Sequence, residues 1–223
     1  MVAIRKVAAN LTIKAVFFSV MIGSLISICL WELRRSEPIA PNYIQTIDYS
    51  VFQMGDIIFR WGDSRLSQTV TALDRHPRFS HVGIVKLIER RPYIIHASVG
   101  AENDKAIVKI EPLEVFLAND RALSVGIYRL RNQSNILGDE VANVAHGYAL
   151  REVPFDSEFD LKTIDRFYCT ELVWRAYQTV GIDLVNGVFD RLEIPLFQKD
   201  LLLPGTLMNS PDLEEVYFVQ FKQ

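Results

Sequence analysis

Cysteine and histidine together can supply a nucleophile and its base, and both are scarce in this chain: two cysteines and four histidines in 223 residues. Cys169 opens the segment "CTELVWRAYQTVGIDL", in which Leu172, Val173, Ala176, Tyr177 and Val180 recur at helical spacing and Gly181 supplies a stop. A thiol in the first turn of a helix meets unpaired backbone N–H groups and the positive end of the macrodipole, which favour the thiolate. The same N–H groups can stabilise the oxyanion of a tetrahedral intermediate. The plain alternative is a buried packing cysteine. Cys29 lies in a separate apolar run near the N-terminus, so a disulfide to Cys169 is not expected, and two cysteines cannot build a cysteine-rich zinc site.

A cysteine nucleophile needs a base, most often histidine. His81 and His96 fall on "SHVGIVKLI" and "PYIIHAS", two β-branched runs separated by the charged stretch "ERR". A hairpin turning near Glu89 and Arg90 would set His81 opposite a residue close to His96, placing two imidazoles side by side. Each alone could instead be a hydrogen-bonded strand residue. A zinc site from His76, His81, His96 and Cys169 matches no usual ligand spacing, so no metal and no cofactor are expected. His76, in "DRHPRF", and His146, on a helix, receive no role.

These residues must be held by a mixed scaffold. Strands are expected at Gly55–Phe59, Ser80–Ile88, Pro92–Ser98, Ala106–Pro112 and Leu123–Leu130, with a further strand in the C-terminal tail. Helices are expected over Leu66–Arg75, within "PLEVFLAND", over "NILGDEVANVAHGYALRE" and from Cys169 onward. This order gives an α+β domain with a mostly antiparallel sheet packed against helices. Between the last two helices lies an acidic and aromatic loop, "PFDSEFDL". With 24 basic and 27 acidic side chains, the charge gives no electrostatic reason to expect a nucleic-acid partner.

The N-terminal run Ala15–Trp31 carries no charge and is flanked by Arg5, Lys6 and Lys14 before it and Arg34 and Arg35 after it. At ~1.5 Å per residue it is at the short end for a ~30 Å hydrocarbon core. It reads as an uncleaved signal anchor, or alternatively a cleaved signal peptide. Residues 1–35 are assigned to it, 36–44 to a linker and 45–223 to the globular domain. The basic flanks lean towards a cytoplasmic N-terminus, anchoring the domain at the inner membrane on the periplasmic side; cleavage would release it into the periplasm.

The ordered motifs "GDIIF", "FSHVGIV" and "YCTELVWRAYQTVGIDL" resemble the YiiX/YebB-like proteins, the circularly permuted branch of the papain-like, NlpC-type cysteine hydrolases, to which lecithin:retinol acyltransferase is related. The resemblance runs from about Met54 to Leu184. It implies a permuted papain-like fold in which Cys169 is the nucleophile, His81 the general base and His96 the polar group that orients the base. Many such proteins carry glutamate in the region of His96; histidine there is shared with the acyltransferases. Tyr168 and Cys169 reproduce the family's Tyr-Cys pair, and Asp56 is a motif residue with a turn or cap as its alternative role. The loop before the nucleophile could line the substrate cleft, with Asp156, Glu158 and Asp160 attracting a cationic amine; the alternative is an ordinary solvated loop.

Three functions follow. The first is a cell-envelope cysteine hydrolase that cleaves an amide, in a peptidoglycan peptide or a related amine, through an acyl-thioester. The second is a lipid-directed acyltransferase or thioesterase using the same Cys-His site. The third is a membrane-tethered binding module without turnover. Neither the substrate nor the oligomeric state is legible in the sequence.

Overall fold

The computed structural model describes residues 47–100, 104–118, 122–194 and 197–221. The apolar N-terminal run, Cys29 and the linker lie outside the described residues. The elements are β1 (Ile57–Trp61), α1 (Arg65–Leu73), β2 (His81–Ile88), β3 (Arg91–Ala97), β4 (Val108–Pro112), α2 (Leu113–Ala118), β5 (Ser124–Leu130), α3 (Asn135–Leu150), α4 (Cys169–Thr179), β6 (Asp190–Ile194), β7 (Phe197–Leu201), α5 (Pro204–Met208) and β8 (Leu213–Gln220). Six strands form one antiparallel sheet in the order β4-β3-β2-β1-β5-β8. β6 and β7 form a separate hairpin that the sequence reading did not anticipate. Among the described residues, no helix is long and apolar enough to cross a membrane.

Period-2 alternation divides the sheet's side chains between two cores. Ile57, Phe59, Val82, Ile84 and Ile95 point to one face, where α3 and α4 add Val141, Ala145, Leu172, Val173 and Tyr177. Ile58, Val85, Ile94, Val125 and Ile127 point to the other, covered by Leu113, Phe116 and Leu117 of α2 and by Phe52 and Phe221. Each of these large side chains is almost wholly excluded from water, and burying one contributes roughly 1.5–3 kcal/mol.

The β2–β3 hairpin fixes the register on which the histidines depend. Glu89 and Arg90 have φ of 51° and 65°, and Ile88 pairs with Arg91, so the loop is a two-residue turn of the I′ kind. That turn matches the right-handed twist of the strands and places Ile84 opposite Ile95. One step further, His96 lies across Gly83, and His81 becomes its diagonal neighbour on the same face. Only glycine fits at position 83: a Cβ there would lie 2.6 Å from Ile94 Cγ2 and 2.8 Å from the Ile95 carbonyl oxygen.

Candidate active site

His81 begins β2 and His96 sits near the end of β3. Their rings meet at 2.8 Å, Nε2 of His81 to Nδ1 of His96. Both lean on Phe116 of α2, whose ring lies 5.5 Å from His81 in a stacked arrangement and 5.1 Å from His96 edge-on. Arg60, directly opposite His81 on β1, holds the far side of this platform. Its Nη1 donates to the Phe116 carbonyl at 2.7 Å, and its guanidinium stacks 4.8 Å from the ring centroid.

Cys169 reaches the histidines from the other face of the sheet. It is the first residue of α4, whose N-cap, Tyr168, has no side-chain capping bond. The opening amides of the helix therefore remain directed at the sulfur. Backbone N–H groups of Thr170, Val82 and Cys169 itself act on the thiol. Since Val82 directly follows His81, the sulfur is delivered to the end of β2. Cys169, His81 and His96 line a single cavity of about 470 Å³.

The helix N-terminus favours the Cys169 thiolate, and burial opposes it. Burial pushes the thiol up to about 11, outweighing those backbone amides and the Arg60 charge. Burial, followed by the charges of Arg60, His96 and Lys109, holds His81 well below the usual imidazole range. Burial likewise lowers His96, against the pull of Glu111. These shifts disfavour both the thiolate and the imidazolium forms, so a nucleophilic role for Cys169 would call for proton transfer to a base.

The structure adds a member that the sequence reading missed. Glu111 of β4, only 7% exposed, places Oε1 3.0 Å from His96 Nε2, although that contact is poorly aligned for a hydrogen bond. Lys109 Nζ lies 3.1 Å from Glu111 Oε2 and 2.8 Å from Asp104. Burial disfavours the Glu111 carboxylate, but His96 and Lys109 outweigh it and hold the group down at about 2. The signal in "AIVKIEP" is the alternation that puts Lys109 and Glu111 on the face opposite Val108. That signal acquires meaning only with the β3–β4 register, which sets His96 opposite Lys109.

The other candidate residues do not line the cavity. Asp56 is fully buried and accepts from Arg129 Nε at 2.7 Å, from Arg129 Nη2 at 2.8 Å and from the Gln53 amide at 2.7 Å. Tyr168 is buried, and its hydroxyl accepts from the Leu202 amide at 2.8 Å. Asp156, also buried, accepts from the amides of Glu158 and Asp160 at 2.9 and 2.6 Å, shaping its own loop. Glu158 is exposed, and its carbonyl receives Lys199. The loop turns Phe155 and Phe159 towards the cavity, while the side chain of Asp156 is occupied by loop amides.

Comparison with known proteins bears on this geometry. Residues 51–217 match the family described as permuted papain-like amidase enzyme, YaeF/YiiX, C92 family. The chain belongs to that family. It is 31% identical over 127 residues to the uncharacterized protein YiiX of Escherichia coli K12, covering 56% of this chain and 57% of that protein. The match thus spans little more than half of that relative's length. A crystal structure described as metalloprotein YiiX from Escherichia coli O157:H7 superposes with a TM-score of 0.61 at 24% identity, covering 75% of this chain and 98% of that one. This second likeness speaks for the fold. Among the described residues, no group of three His, Cys, Asp or Glu side chains is arranged to hold a metal ion. Family membership supports cysteine-hydrolase activity.

Proposed function

We propose that this protein is a cysteine hydrolase that cleaves an amide bond through an acyl-thioester on Cys169. The observation that carries this reading is the placement of Cys169 on the same cavity as two imidazoles 2.8 Å apart. With Nε2 of His81 engaged by His96, its Nδ1 is the ring nitrogen left to take the thiol proton. Sγ attacks the carbonyl carbon as that proton moves to His81, and backbone N–H groups at the start of α4 receive the oxyanion. His81 then gives the proton to the departing amine as the C–N bond breaks. Water repeats the cycle on the thioester, delivering its proton through His81 and releasing the acid and the thiol.

The proposed setting is the cell envelope, with the uncharged run Ala15–Trp31 and its basic flanks as a membrane anchor on the periplasmic side, or as a cleaved signal. Peptidoglycan stem peptides or related amides are the proposed substrates in that setting. A second reading, acyl transfer or thioester cleavage on lipids, is favoured by one specific feature: Leu66, Val70, Val99, Phe155 and Phe159 give the cavity an apolar wall.

The test is to incubate the purified protein with muropeptides, long-chain N-acyl amides and phospholipids, trapping the acyl group with hydroxylamine. Amine release that disappears in Cys169→Ala is expected. Acyl release confined to phospholipid would favour the lipid reading. Equal product from wild type and Cys169→Ala would reject both, and binding without turnover would leave the tethered module.

A further inference from the structure

We propose that Glu111 is a positioning residue that selects the tautomers of the histidine pair and so leaves the lone pair of His81 Nδ1 for the Cys169 proton. This rests on the reading of Cys169 and His81 as nucleophile and base.

Two neutral imidazoles in contact share a single proton, and two arrangements are possible. In the productive one, His81 Nε2–H donates to His96 Nδ1, His96 carries its own proton on Nε2, and His81 Nδ1 is a bare acceptor. In the other, His96 Nδ1–H donates to His81 Nε2, His81 is protonated on Nδ1, and it cannot accept a proton from the thiol. The 2.8 Å contact is compatible with either. What separates them is the group facing His96 Nε2. That group is Glu111 Oε1, an ion-pair contact at 3.0 Å that lies off the hydrogen-bond direction, and Nε2 is buried with no hydrogen-bond partner among the described residues. An ionised carboxylate at that distance attracts an N–H and repels a bare ring lone pair, so it favours a proton on Nε2 and thereby the productive arrangement.

The surroundings keep the carboxylate ionised. Lys109 lies 3.1 Å from its second oxygen and is itself held by Asp104 at 2.8 Å. The charged or titratable groups facing the pair are Arg60 from β1, Lys109 and Glu111 from β4, Asp104 before β4, and Cys169 from α4. α2 presents Phe116 to the rings, while its acidic residue, Glu114, is engaged by Tyr49. Glu111 is thus the negative charge closest to an imidazolium formed during turnover, and it opposes Arg60 and Lys109. A glutamate with a purely structural role would neutralise Lys109 and leave the protons of the histidines unbiased.

The decisive measurement uses the wild-type protein and needs no substrate: nitrogen-15 NMR of the histidine rings. His96 and His81 are both expected to be protonated on Nε2 near neutral pH; a proton on His96 Nδ1 would overturn the proposal. The second measurement is the alkylation of Cys169 by iodoacetamide as a function of pH, with peptide mapping to separate it from Cys29. Glu111→Gln keeps the size of the side chain but adds a donor able to stabilise the wrong tautomer. It is expected to slow alkylation about tenfold or more and to move the acid limb to lower pH, because loss of the negative charge disfavours the imidazolium. Glu111→Asp should recover most of the rate. A folded Glu111→Gln protein with the wild-type rate and limb would also overturn the proposal; should that variant not fold, the wild-type tautomers decide. Amide turnover persisting in Cys169→Ala would remove the hydrolase reading while leaving the tautomer result standing, so the two failures are distinguishable.

Discussion

The two ends of β1 both carry buried charge, and they use it differently. At the start, Asp56 is closed on every side: Arg129 clamps both oxygens and the Gln53 amide meets one of them. Arg129 in turn donates to the Val51 carbonyl at 2.9 Å, tying the chain before β1 to β5. At the far end, Arg60 lies opposite His81, and the two line a cavity together with His96 and Cys169. The first arrangement has its polar valences satisfied within the protein, so it can only hold parts together. The second sets Cys169, His81 and His96 along the wall of a cavity. Buried charge alone therefore does not mark a site; what distinguishes one is an unspent proton acceptor next to a cavity.

Substitutions should separate the two ends. The largest effect is expected at the open end. His81→Ala should reduce the rate of Cys169 acylation by about 10²–10⁴-fold, the usual range for a general base, while circular dichroism and the unfolding midpoint change little. Loss of folding in place of loss of rate would make the two ends alike. At the closed end, Asp56→Asn should leave Arg129 without its ionised partner and cost about 3 kcal/mol of stability in denaturant titration. Alkylation of Cys169 in the folded fraction should be unchanged; a comparable fall in both quantities would erase the distinction.

A third buried carboxylate sharpens the comparison with a smaller effect. Glu171, two residues after Cys169, is fully buried, and Arg175 meets only its Oε1, at 3.3 Å from Nε and Nη2. Burial raises its pKa to about 7, despite the lowering by Arg175. The folded state therefore holds the proton more tightly than the unfolded chain. The stabilisation is complete below the ordinary glutamate range and is lost as pH rises through 7. Wild type should lose about 2–3 kcal/mol between pH 5 and pH 8 from this group, and Glu171→Gln should flatten that slope. An identical pH–stability curve for the variant would assign the titration elsewhere.

Much of the scaffold was legible because it is written in short-range patterns. The alternation in "SHVGIVKLI" and "PYIIHAS" gave β2 and β3, and the turn expected near Glu89 and Arg90 is the turn observed. The helix opening at Cys169 and halting before Gly181 follows from apolar spacing. The β6–β7 hairpin was missed: "DRLEIPLFQKDL" pairs two short strands across a proline-containing connection, with no glycine or asparagine to announce a tight turn. In the site, the contact between His81 and His96 was anticipated from the hairpin, but Glu111 was not. Its role depends on pairing between β3 and β4, which sit on either side of a longer connection whose register no local rule specifies. The surroundings of the acidic loop were not legible for a related reason. Its carboxylates are conspicuous in the sequence, yet Asp156 folds back on the amides of Glu158 and Asp160 and leaves the phenylalanines to meet the cavity.

The sequence by itself determined which atoms could react: one thiol at a helix start and two imidazoles on neighbouring strands, since residue type and local periodicity are properties of the chain alone. The tertiary structure decided their chemical state and their company. Burial, which sums over every element packed around a group, raises the Cys169 thiol and lowers both imidazoles. Strand register brings Glu111 and Lys109 to His96. Desolvation and register are long-range quantities, fixed only when distant segments meet.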